Sequence, residues 1–187
     1  MSRYPLSLPA QLKQEAETWA EMQGVSLTRA AAYGIAVLAL FRAATFTHEI
    51  VHLRRSQMPY FGVAYDLIYG VIALFPSFAY AYHADHHRIG NFGTRRDGEY
   101  MPLHRGPYLQ LAIFFAHIFY LPIAVTIRFL VLTPLSFVSP RLRSFVLERA
   151  SSFGMSNLEY RGRAPSAAAL RYWTLIEWLC FLRIALA

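Results

Sequence analysis

The chain alternates between long apolar runs and short polar stretches rich in arginine and histidine. In the polar first stretch, Leu12, Ala16, Trp19 and Ala20 share one face of a helix that should end at Gly24, and Ser26 is placed to cap a second helix. Residues 30–47 follow as the first apolar run. As a helix they would extend about 27 Å, close to the hydrocarbon thickness of a bilayer, so a crossing with modest thinning is expected and Arg42 would snorkel. The second run, FGVAYDLIYGVIALFPSFAYAY, carries Asp66 and Pro76 and is bracketed by histidines. It should dip into a membrane or lie along it, with both ends on one side. The third, about residues 108–138, is longer than one span needs and contains Pro122, Arg128 and Pro134, which leaves a tilted, kinked helix and a re-entrant hairpin both open. PRLRSFVLERASSF reads as an interfacial amphipathic helix and RYWTLIEWLCFLRIALA as a last membrane helix. The expected fold is all-α: an integral membrane helical bundle with interfacial amphipathic helices, residues 1–29 forming a head and 30–187 the membrane domain.

Composition strengthens the membrane reading and narrows the chemistry. The 187 residues are 56% hydrophobic, with a mean hydropathy of +0.30. The net charge of +7 sits in short clusters between apolar runs, as beside anionic headgroups, and is not read as a nucleic-acid footprint. Arg54, Arg55, Arg88, Arg95 and Arg96 mark the histidine-bearing segments as cytoplasmic, and Arg141, Arg143, Arg149, Arg161, Arg163 and Arg171 mark the later loop likewise. One simple crossing between the two regions cannot satisfy both. Cys180 is the single cysteine, which excludes a disulfide framework, a cysteine zinc site and an iron–sulfur cluster built from this chain alone. The first residues lack the basic-then-apolar layout of a secretory signal.

Any metal chemistry must therefore come from histidine and carboxylate. Five of the seven histidines lie between residues 48 and 87, in HEIVH and HADHH. On a helix His48 and His52 stack on one face, and His83, His86 and His87 make a second imidazole face, so two helix ends meeting there would enclose a metal. Neutral imidazole suits iron, zinc and copper. Asp85, Asp97 and Glu99 are candidates to orient the rings by accepting the N–H not used by the metal. His104 and His117 stand alone and are read as structural.

HxxxH at 48–52, HxxHH at 83–87 and the following GTRRDGEYMPL resemble the first two histidine boxes of the integral-membrane fatty acid desaturase and hydroxylase superfamily, most of all bacterial desaturases, over about residues 35–187. The resemblance implies a cytoplasm-facing di-iron centre with His48, His52, His83, His86 and His87 as ligands and no catalytic residue beyond them. It implies O₂-dependent removal of hydrogen from an acyl chain, a membrane lipid or acyl substrate, and two electrons from a ferredoxin, rubredoxin or cytochrome b5 type carrier. The superfamily's third histidine box has no counterpart after His117, so the half-site is expected to be incompetent alone. Arg54, Arg88, Arg95 and Arg96 are read first as topology markers, with an acidic-partner dock or a headgroup site as the functional alternative.

Two other classes compete. HEIVH also matches HExxH, in which Glu49 would be the general base of a membrane zinc metalloprotease. Residues 1–29 resemble a ribbon-helix-helix module, whose strand would point Arg3, Pro5 and Ser7 at base edges and make the chain a membrane-tethered DNA-binding regulator. An amphipathic lead-in helix at the membrane surface is the preferred reading of that head.

Overall fold

The computed structural model describes residues 9–22, 24, 26–53, 58, 60–153, 157 and 159–187. Arg3, Pro5 and Ser7, on which the ribbon-helix-helix reading turned, and Arg54 and Arg55 lie outside them. Among the described residues every regular element is helical, as expected. The chain divides into two units, residues 1–43 and 44–187. In the first, α1 (Ala10–Met22) is followed by Gly24 at φ +65°, a left-handed position that costs glycine little. Ser26 then caps α2 (Leu27–His52) by accepting from the Arg29 amide at 3.3 Å.

The second unit starts with the last turns of α2 and contains the rest of the chain. Its second apolar run is not one helix. α3 (Phe61–Tyr65) widens into a π turn over Asp66–Gly70, and after Leu74, at φ +57°, the chain extends through Pro76 and resumes as a 3₁₀ turn over Ser77–Tyr80. Asp66 explains the break. It is fully buried and accepts from the Ser77 amide at 2.6 Å, the Ser77 hydroxyl at 2.7 Å and the Tyr172 hydroxyl at 2.7 Å, bonds that a carboxylate withdrawn from water requires. Gly70 is needed there because a Cβ would come within 2.9 Å of both Asp66 Oδ1 and Pro76 Cα.

The third run resolves to a single rod. α4 (Pro107–Ile127), a π turn at Arg128–Leu132 and α5 (Thr133–Ser136) make one continuous 30-residue helix, Pro107–Ser136. The single-helix alternative therefore stands and the hairpin does not. Among the described residues, this rod and α2 are the two helices long and apolar enough to cross a membrane. Ile118, Phe119 and Ile123 of α4 are each more than 60% exposed, so the first half of the rod presents apolar side chains outward.

α6 (Pro140–Arg149) is capped by Ser139, and α7 (Ala167–Ala185) by Ser166, which starts that helix four residues before the expected Arg171. The core gathers Phe78, Val125, Phe129, Leu147, Trp173, Ile176 and Cys180, with the Phe78 and Trp173 rings stacked at 5.1 Å. The stretch after α6 returns directly onto the histidine-bearing segment: the Phe153 amide bonds the Ala79 carbonyl at 3.1 Å, and the Asn157 amide bonds that of Gly98 at 2.9 Å. The described part of the histidine-bearing segment and the stretch after α6, both rich in arginine, are thus neighbours.

Candidate metal centre

The last turn of α2 carries His48 and His52 four residues apart, so both rings leave the same face, with centroids 4.6 Å apart. Opposite them, His83–Asp85 forms a short 3₁₀ turn and residues 86–87 continue as a turn. The expected second helix end is therefore absent, and the three imidazoles of HADHH gather from a 3₁₀ turn instead, with ring centroids 4.6–6.1 Å apart. His83 and His87 point at the α2 pair: centroids are 4.8 Å apart for His48 and His83, 5.2 Å for His52 and His83, and 4.8 Å for His52 and His87. One ligand nitrogen from each of His48, His52, His83 and His87 lies within 4.8 Å of the others. His86 stands beside this group, 5.6 Å from His87 and 6.1 Å from His83 between centroids.

The carboxylates decide which ring atoms are available. Glu99 accepts from His83 Nδ1, and Asp97 accepts from His86 Nδ1 at 2.9 Å, which puts the proton of each ring on Nδ1 and leaves Nε2 as the nitrogen with the lone pair. Asp97 Oδ1 is held in turn by the Glu99 amide at 3.1 Å, while its buried Oδ2 has no hydrogen-bond partner among the described residues. Asp85, the third carboxylate expected to orient a ring, does something else. It accepts from the Tyr160 hydroxyl at 3.1 Å and pairs with Arg163 at 3.0 Å, so it anchors the later loop to the histidine segment. Burial, and then the Asp85 charge, push the Tyr160 phenol above its ordinary pKa, so it remains the donor of that bond.

These residues fit a metal. His83 Nε2 and His87 Nε2 are 2.9 Å apart, and two imidazole nitrogens at right angles on one ion with bonds of about 2.1 Å would be separated by about 3 Å. Opposite ligands on such an ion would be about 4.2 Å apart, so a set lying within 4.8 Å closes on an ion with small side-chain shifts. With no thiolate present and several neutral imidazoles, the donor set suits iron, zinc or copper.

Sequence reasoning missed Tyr80, Asn157 and Tyr160. Tyr80 stacks on His83 at 4.6 Å with the planes 14° apart, and its phenol bonds Glu99, so Glu99 bridges the two rings. The signal was present three residues before His83, because side chains at i and i+3 eclipse in 3₁₀ geometry. Asn157 donates to the carbonyls of Thr94 at 3.2 Å and Asp97 at 2.9 Å, steadying the Asp97 backbone. His104 and His117 stay away from the cluster, bonded to Tyr100 and to the Ile113 carbonyl. Since Glu99 sets the tautomer of His83, Glu99→Gln should weaken metal binding about 10- to 100-fold while leaving the fold intact. A chelator-competition titration beside a melting curve checks this.

An apolar cavity of about 500 Å³ adjoins the cluster. Ile50 and Val51, between the α2 histidines, and Ala81 and Ala84, flanking His83, line it together with Ala168 and Trp173 from α7.

Compared with known proteins, 119 residues of the chain are 39% identical to a ceramide hydroxylase of Caulobacter vibrioides, a match that covers 63% of this chain and 34% of that protein. The chain spans about a third of the length of this curated relative. No family model matches the chain, and no solved structure matches it. The expectation of a desaturase in particular gives way to the coarser statement that this is a homologue of a ceramide hydroxylase, with two helices long and apolar enough to cross a membrane and a histidine cluster at the end of one of them.

Proposed function

We propose that this chain forms the histidine-bearing part of a membrane-associated di-iron oxygenase that hydroxylates the apolar chain of a ceramide-like lipid. The observation that carries the proposal is the convergence of His48, His52, His83 and His87 on two segments whose neighbouring residues, Ile50, Val51 and Ala84, line an apolar cavity. The similarity to a ceramide hydroxylase favours hydroxylation over the desaturation suggested by the histidine boxes.

Bound iron would supply activation of O₂ for attack on an unactivated C–H bond, which no side chain can perform. Everything else falls to the protein. His48, His52, His83 and His87 hold the metal, with His86 and the open Oδ2 of Asp97 beside them. Glu99 and Tyr80 fix the orientation of the His83 ring. The apolar walls of the cavity exclude water and would hold the lipid chain at one depth, which selects the carbon that reacts. One oxygen atom ends in the lipid hydroxyl and the other in water, with two electrons arriving from a carrier protein and two protons from solvent. The histidine face is proposed to be cytoplasmic, where both neighbouring arginine-rich stretches belong by the positive-inside rule.

A zinc protease built on HEIVH would leave HADHH without a task, whereas in the structure it contributes two of the four converging rings. Glu49, whose carboxylate sits 3.3 Å from His48 Nδ1, is half-exposed at the edge of the group. Glu49→Gln distinguishes the two readings. In an oxygenase, metal is retained and ceramide incubated with reductant and O₂ still gains one oxygen by mass spectrometry. In a protease, hydrolysis falls by two or more orders of magnitude, since the general base alone contributes about 10²–10⁴-fold. A product that loses two hydrogens and gains no oxygen would restore desaturation.

A further inference from the structure

Residues between Asp85 and Arg96, together with Arg149 and residues 159–163, line a groove of about 890 Å³. Six arginines line it against two carboxylates, Asp85 and Glu159. Arg88 and Arg163 both pair with Asp85, at 3.7 Å and 3.0 Å. The side chains of Arg95, Arg96, Arg149 and Arg161 make no ion pair among the described residues, and all four are exposed.

The positive-inside rule explains why arginines flank membrane segments, but it does not require residues more than fifty positions apart to share one concavity. Here that concavity is built by other groups: Asn157 bonds to the backbone of Thr94, Asp97 and Gly98, Tyr160 to Asp85, and the Tyr82 hydroxyl donates to the Arg163 carbonyl. Gly162 lets the strand of loop lie flat on the Tyr82 ring, where a Cβ would stand 2.6 Å from a ring carbon. Like charges held together this way repel unless an anion joins them, and several guanidinium forks match the oxygens of a phosphate.

Three consecutive residues also face three surfaces. His83 belongs to the metal cluster, Ala84 lines the apolar cavity and Asp85 lines the arginine groove. We propose that the groove binds the phosphate of a lipid headgroup whose apolar chain enters the cavity. Making that lipid the substrate rests on the oxygenase reading and narrows it from ceramide itself, which carries no phosphate, to a ceramide-like lipid with a phosphate headgroup; phosphate binding itself does not rest on it.

The test uses the full chain in detergent micelles, treated with chelator so that the metal reading plays no part. Calorimetric titration compares lysophosphatidic acid, a monoacylglycerol of the same chain length and glycerol 3-phosphate. Lysophosphatidic acid should bind at least about tenfold more tightly than either of the others, and Arg96→Gln and Arg161→Gln should each weaken it about tenfold with no change in monoacylglycerol binding. Both arginines are exposed, so a matching melting temperature verifies the fold of the variants. Equal affinity for lysophosphatidic acid and monoacylglycerol, or no effect of the substitutions, overturns the proposal. Glycerol 3-phosphate binding as tightly as the lipid overturns the lipid assignment in favour of a soluble phosphate. Salt-sensitive binding of an acidic ferredoxin without any preference for lysophosphatidic acid assigns the groove to a protein partner instead.

Discussion

Glu177→Ala is expected to destabilise the second unit by about 3–5 kcal/mol, a large fraction of the stability of an ordinary domain. Glu177 is fully buried on α7 and faces two arginines, Arg128 in the π turn of the rod and Arg143 on α6, the latter at 2.8 Å. Arg128 is also buried, and it donates to the Ala150 carbonyl at 2.8 Å, the Thr133 hydroxyl at 2.7 Å and the Ser151 hydroxyl at 3.0 Å. Removing the carboxylate leaves two guanidinium groups without their counterion in a site largely closed to water. Replacing all three charges together, Arg128→Met, Arg143→Leu and Glu177→Leu, should recover most of the loss, because no uncompensated charge then remains. Thermal unfolding of both variants in the same detergent separates loss of charge compensation from loss of packing. The network also ties the rod to residues 150–151, where the loop that anchors Asp85 and Asp97 begins, so loosening it should disturb the histidine segment as well.

His83→Ala is expected to lower metal affinity by more than about a hundredfold, since losing a partner behind a ligand already costs about 10- to 100-fold. His83 is the most buried of the four converging imidazoles and the one held from two sides, by Glu99 at Nδ1 and by the Tyr80 ring on its face. His104→Ala serves as the control. That ring bonds only Tyr100 and lies outside the cluster, so its removal should leave metal binding unchanged. Metal competition against a chelator reads both variants on one scale, and an equal response from the two would mean that the metal sits elsewhere.

The density of imidazole in HEIVH and HADHH was legible in the sequence, and so were the polar head, the apolar runs and the cap at Ser26. What could not be read was the division of labour inside HADHH. Helical spacing puts His83, His86 and His87 on one face, but the segment folds as a 3₁₀ turn whose backbone is held by contacts far away in sequence: Asp85 with Tyr160 and Arg163, and Asp97 with Asn157. Asp85 looks like a ring orienter because it sits between histidines, yet the Tyr160 hydroxyl it accepts from lies 75 residues later. The two π turns were equally hidden. Each places one charged residue of an apolar run, Asp66 or Arg128, among buried polar partners, and hydrophobic periodicity carries no trace of where the extra residue is inserted.

Four imidazoles from two segments converge with ligand atoms within 4.8 Å of one another, and the proposed chemistry requires that they hold a metal. X-ray absorption spectroscopy on the chain reconstituted with iron(II) tests it most directly. Tight binding is expected, with a first shell dominated by nitrogen and the multiple-scattering signature of several imidazoles, diminished in His52→Ala and His87→Ala alike. A chain that retains no iron after desalting, or a shell of oxygens unaffected by either substitution, would contradict it.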